Sequence, residues 1–279
     1  PGPVGITALI AAKTLGLRTS GIYHTDFPQY VRILTDDSFL ETLTWNYMHW
    51  FYSQLDILYV NSEFYRHCWI DRGIDPGKIK ILPRGLDTTL YHPSKRVEKI
   101  RKSFGATNRE PVLLYVGRVS KEKDLDLLAA AFRKLRTRSP QPRLVIVGDG
   151  PYLKELRKSL PEAHFTGYLC GADLAGAFAS ADIFTFPSTT DTFGNVVLEA
   201  MASGLPCVVS DSGGPRELVR EGETGFVTRS LDVESFSGAI QRLVEDPELR
   251  STMSAKARMS VEERNWNGAF QKFWALSES

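Results

Sequence analysis

Along the chain, short runs of β-branched and aromatic residues alternate with longer stretches in which apolar residues recur every three or four positions. That alternation predicts parallel strands joined by crossover helices. The runs that read as strands are SGIYH (20–24), DILYV (56–60), KIKIL (78–82), PVLLYVG (111–117), RLVIVG (143–148), HFTG (164–167), DIFTFP (182–187) and PCVVS (206–210). Among the helical stretches, Leu125, Leu128, Phe132 and Leu135 follow the i, i+3, i+7, i+10 spacing of one buried face. The pattern is a doubly wound α/β unit, and it occurs twice. It breaks between about residues 84 and 108, within RGLDTTLYHPSKRVEKIRKSFGATNRE, where turn residues and charge replace strand pattern. The expected organisation is a first unit over 1–90, a linker over 91–108, a second unit over 109–262, and an aromatic terminal helix over 263–279 that packs back on the first. Two doubly wound sheets that face each other bind ligands in the cleft at the carboxyl ends of their strands.

Composition narrows the function classes. At 279 residues, 42% apolar and 24% charged, the chain can bury two moderate cores. A formal charge of +1 excludes the strong basic excess that a nucleic-acid partner requires. Residues 1–107 are mildly basic, with 13 Lys/Arg against 10 Asp/Glu, which allows an anionic surface partner. Cys68, Cys170 and Cys207 have neither disulfide-framework nor zinc spacing, which points to a reducing cytosol. No apolar run approaches the ~20 residues of a membrane span, so any membrane contact is expected to be peripheral, on the inner face. The opening PGPVGITALIAAKTLGL runs from a Pro-Gly turn straight into a helical pattern without an initiator Met, and the expectation is a chain that begins inside a domain.

The strongest chemical signal is STTDTFGNVVLEAMASGLPCVVSDSGGPREL, residues 188–218. Asp191 precedes a Phe-Gly-Asn turn, a helix starts near Gly194, and Glu199 follows roughly 7–8 Å along its axis at ~1.5 Å per residue. A carboxylate, the open N–H groups of a helix N-terminus and a second carboxylate then lie in a row. The row suits an anion flanked by hydroxyl-bearing groups. The plainer reading is an acid at a helix start and a solvated Glu, but Val196, Val197, Leu198, Ala200 and Met201 put Glu199 in apolar company, where it needs a partner. A second signal is YVGRVSKEKDLDLL (115–128), where a strand ends at Gly117-Arg118 and Lys123 opens a helix. Arg and Lys together can offset a diphosphate's charge without Mg²⁺. Lys121 and Glu122 read as a solvated helix start. Two glycine turns, GDGPYL (148–153) and SDSGGPREL (210–218), let backbone amides approach a ligand, though strand-to-helix turns favour Gly anyway.

The motifs GRVSKEK, GDGP, FTGYL, DTFGNVVLEAMASGLPCVVSDSGG and GETGFV, in that order, resemble glycosyltransferase family 4. The resemblance spans the chain from YHTDF to the terminal helix. It implies a GT-B fold, two Rossmann-like domains facing a cleft with the first incomplete, and a retaining transferase that takes a hexose from a UDP- or GDP-sugar. Arg118 and Lys123 would bind the donor phosphates, Asp191 the transferred sugar and Glu199 the ribose. Gly148, Tyr168, Phe193, Gly194 and Asn195 would complete the donor surface. The family more often has Glu where Asp191 stands. The family's His at the end of this strand, where YHTDFPQY (23–30) begins, would lie close to the transferred sugar, which implies His24, with a core or capping histidine as the other reading. No cofactor and no metal are implied, the nucleotide-sugar being substrate. The family's glycine-rich acceptor-side loop does not occur in these residues.

HTDFPQY and LPRGLD resemble the glycolipid-forming branch, whose acceptors are diacylglycerol-type lipids. TWNYMHWFYSQ (44–54), with five aromatics between Trp45 and Tyr52, reads as a buried helix between layers or as an apolar acceptor surface. A soluble sugar or polysaccharide acceptor remains open, as does a non-catalytic nucleotide-sugar-binding subunit. The G-R-x-S-x-x-K segment argues against an epimerase on the same fold.

Overall fold

In a computed structural model that describes residues 1–107, 110–137 and 140–278, the strands form two all-parallel sheets. The first holds β1 (Ser20–Tyr23), β2 (Ile57–Val60) and β3 (Ile79–Ile81) in that order. Its helices are α1 (Pro3–Thr14), α2 (Phe27–Thr35), α3 (Ser38–Ser53) and α4 (Glu63–Ile70). After α5 (Glu98–Ser103) come β4 (Val112–Val116), α6 (Leu125–Leu135), β5 (Arg143–Val147), α7 (Leu153–Ser159), β6 (His164–Gly167), α8 (Gly171–Ala179) and β7 (Ile183–Phe186). The second unit continues through α9 (Asn195–Ala202), β8 (Cys207–Ser210), α10 (Pro215–Leu218), β9 (Gly225–Thr228), α11 (Val233–Glu245) and α12 (Pro247–Val261), and α13 (Trp266–Glu278) follows. The second sheet runs β6-β5-β4-β7-β8-β9.

Every side chain of β4, β7 and β8 is buried, as a parallel strand covered on both faces requires. Leu125, Leu128, Phe132 and Leu135 of α6 are all buried against that sheet. The strand order reverses between β4 and β7, which pair directly through Leu113–Ile183 and Leu114–Phe184. Crossovers leaving those two strands diverge, and the divergence opens a crevice at their carboxyl ends.

Two expectations need correction. β9 is absent from the strands that the sequence predicts, since GETG precedes only three strand-forming residues. In the fold Gly225 is required there: a Cβ would lie 1.9 Å from the Cys207 carbonyl oxygen of β8. The aromatic helix α3 is buried on one face only. Met48, Phe51 and Tyr52 enter the core, whereas Phe39, Leu43 and Trp50 are exposed by 71%, 54% and 49%. Its aromatics are spread around the helix, so no single face can bury them all. Trp45 packs edge-on against Trp69 and lies beneath the Arg72 guanidinium, 3.5 Å from the ring centroid.

The segment between the sheets packs on the second one. Arg101 of α5 is buried, pairs with Asp182 at 2.8 Å and donates to the Glu110 and Ser180 carbonyls. α13 packs on the first sheet across β2 and β3: Phe273 meets Tyr59 with ring centroids 5.2 Å apart, and Lys80 Nζ donates to the Leu276 carbonyl at 2.6 Å. A Cβ on Gly85 would stand 2.5 Å from Trp266 Cα, so the loop after β3 meets the start of α13 backbone to backbone.

Candidate active site

The loops leaving β4 and β7 meet at the switch point. A one-turn 3₁₀ helix, Lys121–Lys123, follows β4, and its neighbour Asp124 accepts from Thr189 N and Oγ1, both at 2.8 Å. Thr190 Oγ1 donates to the Glu122 carbonyl at 2.8 Å, so the two loops are held together. Lys121 and Glu122, read as solvated, divide: Lys121 is exposed, whereas Glu122 is buried and accepts from Ser120 Oγ at 2.6 Å. Lys123 is 8% exposed, and its ammonium lies 3.1 Å from Asp191 Oδ2. Burial works against its charge, but the Asp191 carboxylate, together with Tyr30 and Glu122, outweighs burial and holds the ammonium above the usual lysine range. Arg118 is exposed two residues beyond β4, its guanidinium without an ion pair among the described residues. The Tyr115 hydroxyl fixes its backbone by donating to the Arg118 carbonyl at 2.9 Å.

Asp191 Oδ1 accepts from Phe193 N at 3.2 Å. Gly194 then takes φ +93° at the N-cap of α9, where no side chain caps the first turn. The first amides of that turn are left without a side-chain cap, the condition that an anion site at a helix N-terminus needs. The Gly213-Gly214 turn supports this loop from below: Gly214 N donates to the Asp191 carbonyl at 2.9 Å, and a Cβ on Gly214 would lie 2.4 Å from the Thr192 oxygen. Asn195 is exposed at the helix start. One turn on, burial lifts the Glu199 carboxyl to about 7, and a hydrogen bond from the Tyr91 hydroxyl pulls it partly back. A carboxyl raised on folding stabilises the protein most when protonated, so its contribution fades as pH rises from about 4.5 to about 7. Glu199→Gln is therefore expected to raise the melting temperature at pH 8 by several degrees and to change little at pH 5. Thermal denaturation at both pH values checks this.

The first sheet closes the crevice from above. His24 is exposed one residue beyond β1, its Nδ1 3.0 Å from Thr25 Oγ1, and its carbonyl accepts from Thr192 Oγ1 at 2.9 Å. The fold thus brings His24, Lys123, Asp191, Phe193 and Gly194 to one cleft, with Glu199 deeper along α9. Gly148 ends β5 with φ +135°, and Tyr168 stands 76% exposed beyond β6. Sequence reasoning missed Asn61, Arg84, Tyr91 and Thr192. Arg84 is half-buried, donates to Asn61 Oδ1 at 2.9 Å, and lies 5.8 Å from the centroid of the Phe193 ring. Burial pulls its pKa down. The signal that singled out Arg118, an arginine just past a strand's carboxyl end, applies equally to Arg84. Nothing distinguishes Asn61 or Thr192 from other small polar loop residues.

Residues 96–260 match the family Glycosyl transferases group 1, and residues 1–90 match Glycosyltransferase Family 4. The chain belongs to the group 1 glycosyl transferases. This family member is 34% identical over 281 residues to sulfoquinovosyl transferase SQD2 of Arabidopsis thaliana, covering 98% of the chain and 54% of the relative. It is 33% identical over 269 residues to a GDP-mannose-dependent alpha-mannosyltransferase of Corynebacterium glutamicum, covering 95% of the chain and 62% of the relative. The chain thus spans under two thirds of the length of either. Among solved structures, Anabaena HepE in complex with UDP-glucose superposes with a TM-score of 0.84 at 24% identity, over 99% of this chain and 76% of that one. The fold is accordingly GT-B, two Rossmann-like sheets facing a cleft.

Proposed function

We propose that the protein transfers a hexose from a nucleoside diphosphate sugar to an acceptor, retaining the anomeric configuration and using no metal. The observation that carries the reading is the row at the switch point: the Lys123–Asp191 pair, the uncapped amides of α9, then the Glu199 carboxyl one turn on, hydrogen-bonded to the Tyr91 hydroxyl. In this reading the diphosphate lies over the α9 N-terminus between Arg118 and Lys123. Asp191 and His24 face the sugar, and Glu199 accepts from the ribose hydroxyls. The departing phosphate takes the acceptor's proton, and fixed donors around it stabilise the developing charge. We take the acceptor to be a lipid-linked group. The exposed stripe of Phe39, Leu43 and Trp50 on α3 supports a peripheral lipid contact.

Calorimetric titration with UDP and GDP, in EDTA and in Mg²⁺, tests the donor site. One nucleotide should bind with equal affinity in both media, and a tenfold requirement for the metal would remove the metal-free reading. Glu199→Gln should weaken bare nucleotide and intact donor alike by about ten- to hundredfold, the value of a hydrogen bond to a charged group. Asp191→Asn should leave the bare nucleotide almost untouched and reduce donor turnover. Equal losses of nucleotide affinity in the two variants would mean that the carboxylates do not divide the donor. Release of nucleoside diphosphate from a panel of UDP- and GDP-sugars with lipid extract separates a transferase from a binding subunit.

A further inference from the structure

All three strands of the first sheet deliver a polar group from their carboxyl ends toward one hydroxyl, that of Thr192. β1 is followed by His24, whose carbonyl accepts from Thr192 Oγ1 at 2.9 Å. β2 is followed by Asn61, whose Nδ2 donates to the same Oγ1 at 3.1 Å. Beyond β3 stands Arg84, which donates to Asn61 Oδ1 at 2.9 Å. The directions admit one arrangement only. Arg84 has no acceptor to offer, so it fixes the Asn61 oxygen, the amide nitrogen must donate, and the single hydroxyl proton goes to the His24 carbonyl. Thr192 and Asn61 are buried, at 7% and 3% exposure, so water does not compete for these bonds.

On the other side, Thr192 sits between Asp191, which pairs with Lys123, and Phe193, whose amide donates to Asp191. The Gly213-Gly214 turn leaves its backbone no room to shift. We propose that Thr192 is a positioning residue that registers His24 against Asp191 across the cleft. The proposal rests on the transferase reading and adds to it a group that touches neither donor nor acceptor. Closure of the cleft itself has a separate support: the Glu217 carboxylate accepts from Glu63 N and Phe64 N at 2.9 and 2.6 Å, capping α4 from the second unit. Loss of the Thr192 hydroxyl therefore leaves the two units together and frees only their register at the site. Misplacement of reacting groups by about 1 Å lowers rate on the order of a hundredfold.

Thr192→Val keeps shape and removes both hydrogen bonds, and Thr192→Ser restores the hydroxyl. Expected for Thr192→Val is a ten- to hundredfold fall in kcat with donor KM and nucleotide affinity within twofold of wild type, and recovery to within about threefold in Thr192→Ser. Hydrogen exchange at backbone amides 24–27 and 61–65 should quicken in the valine variant and return in the serine one. A kcat within twofold of wild type, a parallel loss of nucleotide affinity, or unchanged exchange in those segments would overturn the proposal. If wild type turns over no donor, the transferase reading fails while the exchange comparison still decides whether Thr192 sets the register. Thr192→Ala takes the place of the valine variant if the latter does not fold.

Discussion

Lys123→Met is expected to lower turnover of a nucleoside diphosphate sugar by about 10²–10³-fold, the effect of removing one positioned donor from the developing charge. Two contributions act in the same direction. On the proposed reading the cation that faces the diphosphate is gone, and Asp191, 3.1 Å from Lys123 Nζ, becomes an uncompensated anion. The stability loss should be about 1–3 kcal/mol, less than for a fully buried pair, because the Asp191 side chain keeps 25% of its exposure. A double-mutant cycle separates the two contributions. If Lys123 acts on the donor, adding Asp191→Asn to Lys123→Met should restore stability and leave turnover low. If Lys123 serves only as a counter-ion to Asp191, the double variant should recover turnover to the level of Asp191→Asn alone. Steady-state release of nucleoside diphosphate, paired with thermal denaturation of all four proteins, provides the measurement.

Gly148→Ala is expected to be the most destabilising single change at the site. Its φ of +135° is one that side chains rarely adopt, and a Cβ would lie 1.9 Å from the Gly117 carbonyl oxygen. Gly117 N in turn donates to the Val147 carbonyl, and Gly148 N to that of Gly167, so the ends of β4, β5 and β6 are locked at this crossing. Relief of the clash must move a backbone rather than a side chain. The expected loss is about 4 kcal/mol or more, a large share of the ~5–15 kcal/mol that holds a domain together. Soluble yield and the urea midpoint measure it. The same contact explains this glycine without a ligand, so loss of nucleotide binding in Gly148→Ala would report unfolding. A melting point within two degrees of wild type would contradict the geometry.

The second unit was legible because its strands are buried on both faces and read as continuous apolar runs, and because the acids, glycines and cations of its switch point fall in two short segments. His24 was singled out by the family resemblance around YHTDF, and the structure places it one residue beyond β1. β9 was not, since its glycine is demanded by the neighbouring strand's backbone, a constraint that lies outside its own sequence. Arg84, Asn61 and Thr192 escaped because their roles arise from convergence: the residues are 23 to 131 positions apart in pairs, and no local pattern encodes a meeting of three strand ends. The composition of the aromatic helix α3 left open burial between layers or an apolar surface, because the direction of each ring around the helix decides which are covered.

The placement of α13 bears on how the protein comes to be made. The helix that packs on β2 and β3, with Phe273 on Tyr59 and Lys80 donating to the Leu276 carbonyl, lies in the chain beyond the whole of the second sheet. During synthesis this part of the first sheet must therefore stay uncovered while the second emerges and folds, until residues 266–278 follow. Measured on ribosome-bound chains of increasing length, protease resistance should appear first over residues 112–261 and only afterwards over 20–81, the reverse of their order in the sequence.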